Sequence, residues 1–198
     1  VHLPPVYPYV TPRELHSTGV ARTQVAIVGA GPVGLACAID LAQHGIDFII
    51  IDDNNTVSAG SRAICWAKRT LEILDRLGCG DAVCNRGVSW KVGKVFFREK
   101  LAYQFDLLPE PGHKRPAFVN LQQYLLEEIM VERLRALGHT VRWKNKAIGV
   151  DQRADGARER HRLRRGPHPA LRSWLRRSHR ALQPGGSSAR ARRRGCHR

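Results

Sequence analysis

Long apolar runs, CxxC pairs and a basic, apolar leader are all missing from this sequence, and each absence excludes something. No apolar stretch reaches the roughly 18 to 20 residues that a membrane span requires, and the first residues lack a basic start followed by an apolar block. A soluble, cytoplasmic protein with no membrane partner is the expectation. The five cysteines, Cys37, Cys65, Cys79, Cys84 and Cys196, form no CxxC pair, and a chain of this size with a proper core needs no disulfides. They read as reduced thiols. Cys79 and Cys84 could ligate a metal, but no His or Cys pair stands at a partner spacing, so no metal is expected. A length of 198 residues allows one domain with a real core and not two large ones.

Lysine, Val, Ile, Thr, Phe, Tyr, Asp and Asn are absent from residues 157–198. That stretch carries 14 Arg against the single acid Glu159, a net of +13, whereas residues 1–156 hold 19 Lys+Arg and 16 Asp+Glu, a net of +3. The whole-chain charge of +16 is therefore a local feature and not a spread nucleic-acid signature. Upstream, 26 Val+Ile fall in 156 residues, so about seven are expected in the last 42, and none occurs. A stretch rich in Arg, Ala, Gly, Pro, His and Ser is what GC-rich coding DNA yields out of frame. A frameshift near residue 157 and a disordered tail are the expectation, since this composition cannot offset its ordering entropy. The competing account is a basic arm that binds nucleic acid. The missing lysines, and Trp174 as the one aromatic for base stacking, weigh against it, so no nucleic-acid partner is expected.

Punctuation then divides the chain. Residues 1–23 hold Pro4, Pro5, Pro8 and Pro12 without apolar periodicity, and read as an extended leader lying on the domain. Residues 24–156 form the domain itself, and 157–198 the tail. Val25 to Val28 is a wholly apolar run before glycines, as a parallel strand buried on both faces requires. A helix follows from about Pro32 to His44, capped by Gly45, and Phe48 to Ile51 gives a second buried strand. Leu71, Leu74 and Leu77 predict a helix over about Ala63 to Leu77, stopped by Gly78. Partial alternation from Val88 to Phe105 predicts short antiparallel strands with turns at Gly93 and Glu99-Lys100, the start of a second layer; Trp90, Tyr103 and Phe105 read as core aromatics. A helix from about Leu121 to Leu137 carries Leu126, Met130, Leu134 and Leu137 on one stripe and ends at Gly138. Val141 to Trp143 reads as another parallel strand and Ala147 to Gln152 as a further strand. Asp155-Gly156 signals a hairpin turn, yet no partner strand is expected from the residues that follow. The fold class is α/β, a Rossmann-like βαβ domain with a parallel sheet and the start of a small antiparallel layer.

Gly29-Ala30-Gly31-Pro32-Val33-Gly34 satisfies GxGxxG, a weak signal alone and a strong one between a buried strand and a helix. The first glycine permits the tight turn, the second lets backbone N–H groups approach a pyrophosphate, and the third lets the helix pack close on the sheet. The helix N-terminus then faces the anion. Asp52, at the end of the second strand, can accept both hydroxyl hydrogens of an adenosine ribose; Asp53 falls one residue past the strand end and suits that role less. The fingerprint does not by itself separate NAD from FAD.

Beyond it lie Gly45-Ile46-Asp47-Phe48-Ile49-Ile50-Ile51-Asp52, Ser61-Arg62-Ala63 leading into Arg69-Thr70-Leu71-Glu72-Ile73-Leu74, and Asn120-Leu121-Gln122-Gln123 with Leu126-Glu127. With these pieces, residues 20–156 resemble the FAD-dependent aromatic hydroxylases, single-component flavoprotein monooxygenases that include phenol and 3-(3-hydroxyphenyl)propionate hydroxylases. The resemblance implies FAD as cofactor, NAD(P)H as transient reductant, and O2 and a small phenolic compound as substrates. It implies that Gly29, Gly31 and Gly34 hold the pyrophosphate and Asp52 the ribose. Arg62 matches an arginine near the flavin and its pyrophosphate, and Gln123 a glutamine at the ribityl and phosphate region. Read without the resemblance, Arg62 is equally a solvated loop residue and Gln123 a helix-start residue capping its own backbone. Two later segments of such enzymes, one touching flavin and reductant and one holding the ribityl chain, are not found here. No catalytic residue emerges from the sequence, nor does an oligomeric state. An NAD-dependent oxidoreductase on the same βαβ unit is the alternative reading.

Overall fold

The computed structural model describes residues 3–9, 11, 21–60, 62–153, 156–163 and 174–177. In chain order they form β1 (Ala21–Thr23), β2 (Val25–Val28), α1 (Pro32–Gln43), β3 (Phe48–Ile51), β4 (Cys65–Ala67), α2 (Lys68–Arg76), α3 (Gly80–Arg86) and β5 (Val88–Trp90). There follow β6 (Val92–Phe97), β7 (Lys100–Asp106), β8 (Phe118–Asn120), α4 (Gln123–Ala136), β9 (Asn145–Arg153), β10 (Gly156–Leu163) and β11 (Trp174–Arg177).

The β-branched runs of β2 and β3 pair in parallel, with Val25 opposite Phe48 and Val28 opposite Ile51. Between them α1 runs back along the sheet and ends where Gly45 takes φ +65, a conformation a side chain would resist. All four residues of β3 are buried. Ile50 joins Leu35 and Ile39 of α1, Leu71 and Leu74 of α2, and Leu126, Met130 and Leu134 of α4 in the main core. Ile49 and Ile51 point to the other face, where Ala26 and Ala147 meet them. Among the described residues the sheet continues to a third segment at one point, a parallel bridge from Ile51 to Arg142. The strand expected over Val141 to Trp143 contracts to this bridge because Trp143 N–H turns back onto Val141 O (3.1 Å) and Lys144 takes φ 60.

Several other expectations need correction. The helix expected from Ala63 starts five residues later, because Cys65, Trp66 and Ala67 pair with β8 instead, and Trp66 Nε1 donates to Leu121 O at 2.8 Å. The short helix α3 has no counterpart in the sequence reading. Gly93 lies within β6 and makes no turn; the Phe105 ring of β7 covers it so closely that an added Cβ would overlap the ring. The reversal between β6 and β7 falls at Arg98-Glu99, where Arg98 takes φ 53. The three aromatics are not core residues. Tyr103 is 58% exposed and Phe105 37%, while the half-buried Trp90 stacks on Phe118 at 5.1 Å and donates to Asn120 Oδ1 at 2.9 Å.

The Asp155-Gly156 signal does find its partner strand. Gly156–Leu163 runs antiparallel to β9, with Gly156 opposite Arg153, and β11 pairs with both β10 and β1 to give the order β1-β11-β10-β9. A backbone ladder needs only N–H and C=O groups, so a segment without Val or Ile can still complete a hairpin once the turn is set. Strand β10 and strand β11 fall within the stretch for which disorder is expected; the other residues of 157–198 lie outside the described ones. Within the leader, Tyr7 is buried, stacks on Trp143 at 4.6 Å and donates its backbone N–H to Asn55 O at 2.7 Å. Burial raises the Tyr7 hydroxyl above its ordinary range.

A second set of contacts ties the far side together. Arg115, 6% exposed, donates through Nε to Asp75 Oδ2 at 2.7 Å, through its second nitrogen to Asp75 Oδ1, and to Asp81 Oδ1 at 2.6 Å. The segment that leads into β8 is thereby anchored to α2 and α3. The same guanidinium holds the Asp75 carboxyl below its ordinary range.

Candidate cofactor-binding site

The loop from β2 into α1 owes its shape to two glycines and one carboxylate. Gly29 takes φ +101, which turns the chain sharply off the strand while its N–H still reaches Ile51 O at 2.8 Å. At Gly34 an added Cβ would overlap Gly29 O, so a hydrogen is all that fits between helix and loop. Gly31, by contrast, would carry a Cβ into open space, the nearest atom being Glu127 Oε1 at 4.0 Å. That open face is where a ligand can approach the backbone. Gly31 is the N-cap of α1, which has Pro32 at its start, no side-chain cap and no acidic residue in its first turn. Its unpaired N–H groups and positive dipole end are therefore uncommitted.

Asp52 stands at the end of β3 beside this loop. Its Oδ2 accepts from Ala30 N at 2.7 Å and its Oδ1 from Asn54 N at 2.8 Å. Each oxygen keeps a second lone pair, so the carboxylate can still accept from a vicinal diol. Asp53 turns elsewhere, to Lys146 Nζ at 3.9 Å.

The segment that follows Arg62 is tied to the start of α4: Ala63 O accepts from Gln123 N at 2.9 Å, and Leu121 N likewise donates to Ile64 O at 2.8 Å. Arg62 is exposed and has no partner among the described residues. Gln123 does not cap its own helix: α4 has no side-chain cap, and Gln123 Nε2 donates instead to Glu127 Oε1 at 2.8 Å and Ser58 Oγ at 3.3 Å. Glu127 and Ser58 are thus part of the site, a role the sequence reading did not give them. The Gln-to-Glu spacing of four residues, one helical turn, was the available signal. Through Glu127 the two halves meet, since the carboxylate lies beside both Gly31 and Gln123.

A glycine-cleared loop, an uncapped helix start and a braced carboxylate at the end of the next strand define a dinucleotide-binding α/β protein, and a pyrophosphate with its ribose fits this donor and acceptor set. A family model described as FAD binding domain matches residues 22–173, well over half the sequence, and the chain belongs to that family. Membership decides between FAD and NAD, which the glycines alone leave open. The match also runs into the arginine-rich stretch. A flavin-dependent monooxygenase of Mycobacteroides abscessus is 30% identical over 139 residues, covering 66% of this chain and 29% of that protein. A 2,4-dichlorophenol 6-monooxygenase of Delftia acidovorans is 27% identical over 157 residues, covering 69% and 26% respectively. Among solved structures, a p-nitrophenol 4-monooxygenase of Pseudomonas putida DLL-E4 superposes with a TM-score of 0.70 at 27% identity, covering 81% of this chain and 40% of that one. The chain therefore spans under a third of the length of these two curated relatives.

Proposed function

We propose that this chain is the FAD-binding portion of an NAD(P)H-dependent flavoprotein monooxygenase that hydroxylates a small phenolic compound with O2. The observation that carries the reading is the Asp52 carboxylate, braced by Ala30 N–H at 2.7 Å beside the uncapped start of α1. In this reading the loop Gly29, Ala30, Gly31, Pro32, Val33 and Gly34 cradles the pyrophosphate, the donors being the N–H groups at the start of α1 and not those of Gly29 and Ala30, which bind Ile51 O and Asp52 Oδ2, and Asp52 accepts from the adenosine ribose. Arg62, exposed and cationic, faces the phosphates or flavin from the far rim, and Gln123 takes the ribityl side. FAD, when bound, supplies the redox chemistry, drawing electrons from NAD(P)H and using O2 to oxygenate an electron-rich ring. The nitrophenol and dichlorophenol enzymes among the relatives support the phenolic class. No helix among the described residues is long and apolar enough to cross a membrane, and the proposal places the enzyme in the cytoplasm, where NAD(P)H is at hand. It also treats residues 157–198 as out of frame, on composition; a gene without a family-like +1 frame beyond codon 157 would overturn that part.

The test is colour and its source. The purified chain is expected to hold flavin with an absorption band at about 450 nm, and chromatography of the released chromophore is expected to return FAD. Colourless protein that takes up NAD and not FAD would overturn the reading.

A further inference from the structure

Glu127 is 1% exposed, in the middle of α4, and no part of the proposed chemistry uses it. A carboxylate this deep is costly unless its oxygens are hydrogen-bonded, and these are. Oε2 accepts from Ser58 N at 2.6 Å, while Oε1 accepts from Ser58 Oγ at 2.8 Å and from Gln123 Nε2 at 2.8 Å. An ionised carboxylate only accepts. The Gln123 amide must therefore turn its NH2 toward Glu127, and cannot turn its oxygen there. Ser58 Oγ has given its hydrogen to Glu127 and can only accept in turn, which suits the second amide contact at 3.3 Å. Both donor positions of Gln123 are thus committed inside the protein, and no hydrogen bond among the described residues reaches its Oε1.

We infer that Glu127 is a positioning residue that fixes the Gln123 amide with its carbonyl oxygen toward the ligand, so that this side of the site selects a hydroxyl and not a phosphate. The inference rests on the FAD reading and refines it. A ribityl chain offers hydroxyl donors; pyrophosphate oxygens carry no proton near neutral pH and would meet a lone pair. Gln123 then belongs to the ribityl end, and the phosphates are left to the glycine loop and Arg62.

The experiment compares FAD with ADP, which shares the adenosine and pyrophosphate but has no ribityl chain, by calorimetric titration of the whole chain. Gln123→Ala and Glu127→Gln are each expected to weaken FAD about tenfold, the worth of one hydrogen bond to a neutral group, and to leave ADP within about twofold. Glu127→Gln keeps shape and burial. Its oxygen can stay on Ser58 N–H, and its new NH2 then draws the Gln123 oxygen inward. The double variant is expected to be no worse than either single one. In the nitrogen–proton NMR spectrum, the side-chain amide pair that vanishes in Gln123→Ala is expected to shift in Glu127→Gln. Parallel loss of FAD and ADP, or unchanged FAD affinity in Glu127→Gln, would overturn the inference alone. An unmoved amide pair would do so even without flavin binding. A parent chain that binds FAD no better than ADP would instead overturn the assignment of a flavin site.

Discussion

Gly31 and Gly34 are three residues apart, at the N-cap and in the first turn of α1, yet a methyl group added to each meets opposite surroundings. At Gly34 it overlaps Gly29 O, and backbone cannot swing aside as a side chain can. Gly34→Ala is expected to cost up to about 3 kcal/mol, at the upper end for overpacking, and to abolish nucleotide binding by moving the loop. Gly31→Ala meets nothing nearer than 4.0 Å, so its cost is that of the poorer N-cap alone, about 1 kcal/mol or less. Binding should still fail, because the methyl occupies the face the pyrophosphate needs. Thermal melts with FAD titration of both variants separate the two cases. The turn at Gly29 and the close approach at Gly34 were legible in the sequence because both are backbone features set by spacing. Asp52 was legible for the same reason, at the end of a strand whose limits are fixed by an apolar run. Glu127 was not, since its meaning depends on Ser58, 69 residues away in sequence.

Between elements, the tightest link is Arg115 with Asp75 and Asp81. Asp81 is 82% exposed, so Asp81→Asn should cost less than about 1 kcal/mol. Asp75→Asn keeps one acceptor oxygen but removes the charge and one of the two bonds Asp75 gives a buried guanidinium, and should cost roughly 3 kcal/mol. The link also predicts acid sensitivity. Asp75 titrates below its ordinary value of 3.8 in the folded chain because of Arg115. Its contribution is therefore complete above about pH 4 and lost as pH falls through the lower, folded value. Urea melts between pH 3 and 6 should show this loss in the parent and not in Asp75→Asn. None of this was legible in sequence, because the partners lie 40 and 34 positions apart with no periodic relation. Strand β3 was legible to the residue, its four apolar side chains all being buried. The start of α2 was not, because Cys65 to Ala67 pair with β8, a long-range choice that local pattern does not encode.

At the scale of the whole molecule, the β6–β7 hairpin stands apart. Every residue of β7 is exposed, and Phe96, Phe97, Leu101 and Tyr103 are each more than half exposed. An apolar surface of this kind is a contact surface or an aggregation liability. The paired substitution Phe96→Ser with Phe97→Ser is expected to leave the thermal midpoint unchanged, since neither ring is in the core. It should lower the concentration-dependent light scattering of the purified chain; a large drop in midpoint would contradict the exposed placement. The alternation of this region reads as burial in the sequence, but alternation alone cannot say whether anything covers the face.

The carboxylate of Glu127 also orders events in time. The ribosome delivers the glycine fingerprint early and the helix that braces it much later, so a nascent chain displays the binding motif well before it has the binding shape. On the proposed reading, nucleotide rewards folding only after α4 has emerged and docked.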